Sequence, residues 1–212
     1  MCAGNTIKKC RIITFNGSPG SGKTSVINKW RSLSSGWEVV SAGDRFRKMA
    51  ACNNMSTIEY SSYAEKYPEV DRDIDNYIAN FYKSESPEKK FLVDSRTAWS
   101  FIPEAFKVHL VIDIDVAAKR IYEQQRSTEK YNSLEDAVRD LKARSESENK
   151  RYFEKYNIDS NRYDNYNLVI DTEHAVQKEI CELIADCLKL YEEGTAFPSA
   201  VWSKKSSEWR CE

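Results

Sequence analysis

One stretch of eight residues constrains this chain more than any other: Gly17-Ser18-Pro19-Gly20-Ser21-Gly22-Lys23-Thr24. It fits the pattern G-x-x-x-x-G-K-[ST] and stands where that pattern has mechanical meaning. A β-rich run over residues 11–15 stops just before it, and a helical pattern over residues 23–33 follows. Glycines at these positions let backbone N–H groups turn inward around a phosphate, and the helix N-terminus adds a partial positive charge. Lys23 is placed for β- and γ-phosphates, and the Thr24 hydroxyl suits a phosphate-bound Mg²⁺. A strand, a phosphate turn and a helix in this order belong to a parallel α/β sheet, with a nucleoside triphosphate as the ligand.

The rest of the chain keeps the alternation. Strand signals fall at residues 37–40, 91–93, 107–114 and 168–170. The fourth strand is apolar nearly throughout, as a strand covered on both faces should be. Helical patterns occupy residues 44–51, 57–66, 68–82, 116–125, 133–156 and 173–192. Ser56 with Glu59 and Ser133 with Asp136 read as capping boxes. The last helix places Val176, Ile180, Leu183, Ile184, Cys187, Leu188 and Tyr191 on one face and ends at Gly194. These signals predict a three-layer α/β fold: a parallel sheet of five strands with helices on both faces. Residues 195–212 carry Trp202 and Trp209 among polar residues; both a packed strap and a loose tail fit that pattern.

Composition removes several function classes. With 32 Lys and Arg against 33 Asp and Glu, the net charge is −1, so no basic excess points to nucleic acid or an acidic membrane. No apolar run is long enough to span a bilayer, and residues 1–10 carry no secretory signal. The six cysteines include no C-x-x-C pair, and His109 and His174 stand alone. Zinc and a disulfide framework are therefore not expected, and reduced thiols in the cytoplasm are. His109, inside a strand, reads as a packing residue and His174 as a surface one. Tyr152 and Tyr156 read as core or helix-surface aromatics.

Arginines supply the next clue. Phosphoryl transfer between two anionic substrates gathers several negative charges in one cleft, and the planar fork of Arg pairs bidentately with phosphate. Arg47 follows the second strand and Arg96 the third. Arg120 and Arg126 flank the end of one helix, and Arg144 and Arg151 lie on the next. Ligands of open α/β sheets bind outside the carboxyl ends of the strands, where most of these residues fall.

Three segments carry a resemblance. Ser41-Ala42-Gly43-Asp44-Arg45-Phe46-Arg47 is similar to S-A-G-[DE]-x-F-R. The run from Tyr63-Ala64-Glu65 through Pro68-Glu69-Val70-Asp71-Arg72 to Asp75 resembles Y-A-E-x-x-P-E-[IV]-D-R-x-[IL]-D. Arg151-Tyr152 with Tyr156-Asn157-Ile158-Asp159 resembles R-Y-x-x-x-Y-G-I-D. Together with the phosphate turn, over roughly residues 10–175, the chain resembles the nucleoside monophosphate kinases, and most closely the archaeal-type cytidylate kinases.

The resemblance implies a kinase domain over residues 1–194. Within it, an insertion at 41–84 cups the acceptor, and a small lid at 125–133 closes over the phosphates. It implies ATP with Mg²⁺, a CMP or dCMP acceptor, and a monomer. ATP would be held by Gly17, Ser18, Pro19, Gly20, Ser21, Gly22, Lys23, Thr24, Ser25 and Arg120. The acceptor would meet Ser41, Gly43, Arg47, Asp71, Asp75, Arg96 and Glu148. Lys23, Arg126, Arg144 and Arg151 would serve catalysis, with Thr24 and Asp94 at the metal.

Three positions depart from the family. Its E-G-R-L-A reads Asp94-Ser95-Arg96-Thr97-Ala98 here. The last arginine of its R-x-x-R-I-x-x-R falls at Gln124, leaving Arg126 as the lid-side candidate. Its glycine before Ile158 is Asn157, which tolerates left-handed backbone. The first departure leaves open a kinase for another nucleoside monophosphate or a small metabolite. The second leaves open a nucleotide-binding protein without catalysis.

Overall fold

The computed structural model describes residues 9–124, 131–195, 201–205 and 208–211. The sheet strands are β1 (Ile12–Gly17), β2 (Trp37–Ser41), β3 (Lys90–Asp94), β4 (Phe106–Val111), β5 (Leu168–Asp171), β6 (Val201–Lys205) and β7 (Glu208–Cys211). The helices are α1 (Lys23–Leu33), α2 (Ala42–Cys52), α3 (Thr57–Lys66), α4 (Glu69–Asn80), α5 (Ala98–Phe101), α6 (Ile114–Gln124), α7 (Leu134–Tyr156) and α8 (Gln177–Glu192). The sheet order is β2-β3-β1-β4-β5-β6-β7, parallel throughout except for the antiparallel β6–β7 pair.

Period-2 alternation divides the core. Ile13 and Phe15 of β1 join Leu92, Val108, Leu110 and Ile170 against α1 and α8. Ile12, Phe91 and Val93 face the other way, onto Ile74 and Ile78 of α4 and Ala98 of α5. Each sheet face is thus covered by helices, and β1 is buried along its whole length. A smaller cluster of Ala50, Tyr60, Ala64 and Val70 holds α2, α3 and α4 together, and another joins α6 to α7 through Ala117, Ala118, Ile121, Ala137 and Leu141.

Register brings the carboxyl ends level. Ser41 pairs with Asp94, and Gly17 with Leu110. Strand β1 lies between β3 and β4, and the phosphate turn leaves its end there, where ligands of such sheets bind.

The α3 capping box forms as expected, with Ser56 and Glu59 each bonded to the other's backbone N–H. Asn157 ends α7 at φ 54°. Four expectations are corrected. The sheet has seven strands rather than five, because residues of the 195–212 tail form β6 and β7. Val201 and Trp202 pair with Val169 and Ile170, and Trp202 and Trp209 pack on the core. Strand β4 stops at Val111 because Asp113 Oδ1 accepts the Asp115 and Val116 N–H groups and starts α6. Helix α8 starts at Gln177 instead of 173, and Val176, placed on the buried face by the sequence, is 56% exposed. The four-residue α5 has no sequence signal of its own.

Candidate active site

The phosphate turn is built on glycine geometry. Gly20 has φ 80°, and a Cβ there would lie 2.8 Å from the Ala117 Cβ, so only glycine lets the turn lie against α6. Gly22 precedes α1 at φ 84°. No side chain caps that helix, and its first turn holds no acidic residue, so its leading N–H groups face an open mouth. The buried Gly17 carbonyl accepts from Lys23 Nζ at 2.5 Å and from Arg96 Nη1 at 2.6 Å. Burial, reinforced by Arg96, pushes the Lys23 ammonium down to about 7, against the attraction of Asp94 and Glu148. Such a cation gains strongly when an anion arrives.

A cleft of about 980 Å³ opens over this turn. Residues Ser18 through Ser25, with Gly20 and Lys23 among them, form its floor. Arg47, Arg96, Arg144 and Arg151 all line it, from three separate parts of the chain: α2, the segment after β3, and α7. Arg126 lies outside the described residues, as do residues 125–130 of the expected lid.

The positive groups are held by a few acids. Glu148 on α7 pairs through Oε2 with Arg96 Nη2 at 3.1 Å and through Oε1 with Arg144 Nε at 3.2 Å. Arg96 therefore ties the turn to α7. Asp94 at the end of β3 lies in the wall beside Lys23 and Arg96. Burial raises its carboxyl above the usual range, and the two cations pull it back. Ser41 caps α2 by accepting the Asp44 N–H at 3.2 Å, and Arg47 pairs with Asp44 at 2.5 Å near the exposed Gly43.

The insertion wall carries Asp71 and Asp75, one helical turn apart on α4. Thr97 Oγ1 donates to Asp75 Oδ1 at 3.1 Å, and the Tyr156 hydroxyl donates to Asp75 Oδ2. Lys155 Nζ stands 3.7 Å from Asp71 and 3.9 Å from Asp75. Burial raises the Asp75 carboxyl, and its two hydroxyl donors and Lys155 offset part of that rise.

The opposite end of the cleft is bounded by residues 172–177. Arg120 Nη2 donates to the carbonyls of Thr172 (2.9 Å) and Glu173 (2.8 Å), so this arginine fixes the loop as well as lining the cleft. Fixing those carbonyls keeps them out of a helix and explains the late start of α8.

Sequence reasoning missed several of these groups. Phe46, Thr97, Lys155 and the 172–177 loop all line the cleft, as do Tyr152 and Tyr156, and Tyr156 also packs on the core beside Phe101. A signal existed for three of them: Tyr152, Lys155 and Tyr156 share a helical face with Glu148 and Arg151. His109 is buried as expected, stacked on Tyr166 with centroids 4.4 Å apart, and His174 is exposed. Among the described residues no helix is long and apolar enough to cross a membrane, and no cluster of three ligating side chains could hold a metal ion unaided.

Comparison with known proteins follows the same lines. A family profile described as an AAA domain matches residues 16–148. A curated cytidylate kinase of Methanobrevibacter smithii is 32% identical over 179 residues, covering 84% of this chain and 99% of its own. One from Methanothrix thermoacetophila is 36% identical over 161 residues, covering 76% and 88%. Among solved structures, the shikimate kinase of Acinetobacter baumannii superposes with a TM-score of 0.55 at 16% identity, covering 89% of this chain and 98% of that one. That likeness is one of fold alone.

Proposed function

The chain belongs to the cytidylate kinase family, and from that membership and the cleft we propose that it transfers the γ-phosphoryl group of ATP to CMP or dCMP, forming the nucleoside diphosphate and ADP. The observation that carries the reading is the convergence of Lys23, Arg47, Arg96, Arg144 and Arg151 on one cleft at the carboxyl ends of the strands.

An oxygen of the acceptor phosphate attacks the γ-phosphorus, and the bond from that phosphorus to the β–γ bridging oxygen breaks. The acceptor is already an anionic nucleophile, so no side chain needs to remove a proton, and catalysis is positioning and charge stabilisation. Residues 17–25 wrap the triphosphate, with Lys23 leaving the Gly17 carbonyl for the phosphates. Arg120 and the 172–177 loop bound the donor base. Ser41, Gly43, Arg47 and Arg96 take the acceptor phosphate, and Arg144 and Arg151 meet the charge that builds between the substrates. Glu148 orders Arg96 and Arg144.

Mg²⁺ belongs to this reading. Thr24 and Asp94 both line the cleft, and a buried carboxylate with a raised pKa gains from a cation beside it. Two protein oxygens suit an ion that takes its other ligands from phosphates and water. When bound, it neutralises charge on the β- and γ-oxygens. Residues 41–84 as the acceptor-binding part, residues 125–133 with Arg126 as a lid excluding water, a monomer, and a cytoplasmic setting complete the proposal.

A coupled assay of ADP formation with ATP, Mg²⁺ and each of CMP, dCMP, UMP, AMP and GMP tests it. Turnover with a cytidine monophosphate is expected. Turnover only with another acceptor, or ATP binding without acceptor-dependent turnover, would defeat it.

A further inference from the structure

Asp71 and Asp75 occupy the same helical face and the same wall, yet their hydrogen-bonding capacity differs. Both oxygens of Asp75 are occupied, Oδ1 by Thr97 and Oδ2 by Tyr156, and its side chain is 16% exposed. Asp75 is thereby a brace that joins α4 to the segment after β3 and to the end of α7. Asp71 is 30% exposed; Lys155 stands beyond hydrogen-bond distance from it at 3.7 Å, and the Arg151 charge also acts on it. Lys155 offsets its charge while leaving the oxygens open to the cleft. An ionised carboxylate accepts hydrogen bonds and donates none.

We infer that Asp71 is the specificity-determining residue for the acceptor base, reading an exocyclic amino group, while Asp75 only holds the wall in place. This rests on the kinase reading above. Cytosine presents an N–H donor at its 4-position, which meets a carboxylate in a charge-assisted bond. Uracil presents a carbonyl oxygen there, so two acceptors would face each other around an unpaired charge. A site built to hydrogen-bond one substrate group rejects the analogue that lacks it more strongly than shape alone can.

The test is the ratio of kcat/KM for CMP to that for UMP. Asp71→Asn keeps the shape and adds a donor, so the ratio is expected to fall at least tenfold, with CMP worsening and UMP improving. Asp75→Asn is expected to slow both acceptors together and leave the ratio unchanged. A second arm uses the unaltered protein: the monophosphate of pyrimidin-2-one riboside, which lacks the 4-amino group, should behave like UMP and not like CMP. An unchanged ratio in Asp71→Asn, a ratio that collapses only in Asp75→Asn, or full activity of the 2-oxo analogue would each overturn the assignment. If the unaltered protein phosphorylates neither CMP nor dCMP, the kinase reading itself fails, a result distinct from all of these.

Discussion

Arg96 reaches the carbonyl oxygen of Gly17 at 2.6 Å, joining residues 79 positions apart. Lys23 donates to the same oxygen. Two cations thus share one buried dipole at the root of the phosphate turn, and either can leave without stranding that carbonyl.

Removing Lys23 should therefore separate activity from folding. Lys23→Ala is expected to cut kcat by roughly 10²–10³, the cost of losing one preorganised charge in such a site. Its urea midpoint should stay level or rise, because burial already disfavours the ammonium and Arg96 still satisfies Gly17. Initial rates with CMP and equilibrium denaturation check the two halves.

Glu148→Gln is expected to act in the opposite proportion. It leaves Arg96 and Arg144 facing each other with a weaker bridge; Arg96 and Glu148 are partly buried and Arg144 is exposed. A loss of about 1–3 kcal/mol in unfolding free energy and a moderate fall in kcat should appear together. Denaturant titration alongside the coupled assay measures both.

His109 should shape the acid limb of stability. Burial, with help from Lys23 and Arg96, pushes its imidazolium down to about 3, against an ordinary value of 6.5. Below pH 6.5 the unfolded chain takes up a proton that the folded one refuses until about pH 3. Stability from this group is complete above pH 6.5 and drains away as the pH falls towards 3, by up to about 1.4 kcal/mol per pH unit. His109→Phe keeps a ring on Tyr166 and should flatten that limb relative to the parent in urea melts from pH 7 to pH 4.

Deleting residues 196–212 is expected to cost about 2–4 kcal/mol, because Trp202 and Trp209 leave the core. It also bares the β5 edge, so self-association should rise. Among the described residues none of β6 or β7 lines the cleft, so kcat at low temperature should be retained. Thermal melts, light scattering and rates on the truncated chain provide the check.

The legible parts of this molecule are those specified by local pattern. Apolar runs gave β1 to β5, and Ser56, Asn157 and Gly194 marked helix ends because each acts on its own neighbours. Less was legible where distant partners decide. Residues 173–176 continue a plausible helical pattern, but Arg120 holds the adjoining carbonyls. Residues 201–205 and 208–211 are too polar to announce strands, yet Val201 and Trp202 pair with the open edge of β5 and β7 pairs in turn with β6. The same division holds in the cleft. Motif spacing identified the phosphate turn and the arginines, whereas the different states of Asp71 and Asp75 depend on Thr97, Lys155 and Tyr156, which the fold brings from elsewhere.

Helix α7 is 23 residues long, about 34 Å by the α-helical rise. Its final turn is anchored: Tyr156 bonds Asp75, Asn157 reverses the backbone, and Ile158 enters the core. Its other end packs on α6. A rod fixed at one tip magnifies rotation, so a pivot of about 10° at Asn157 would carry Ser133 through roughly 6 Å. Glu148, nine residues from Asn157, would travel about 2 Å, and Arg144 about 3 Å. A swing of α7 would therefore be felt at the guanidinium cluster as well as at the far tip, pulling on the Glu148 bridges to Arg96 and Arg144.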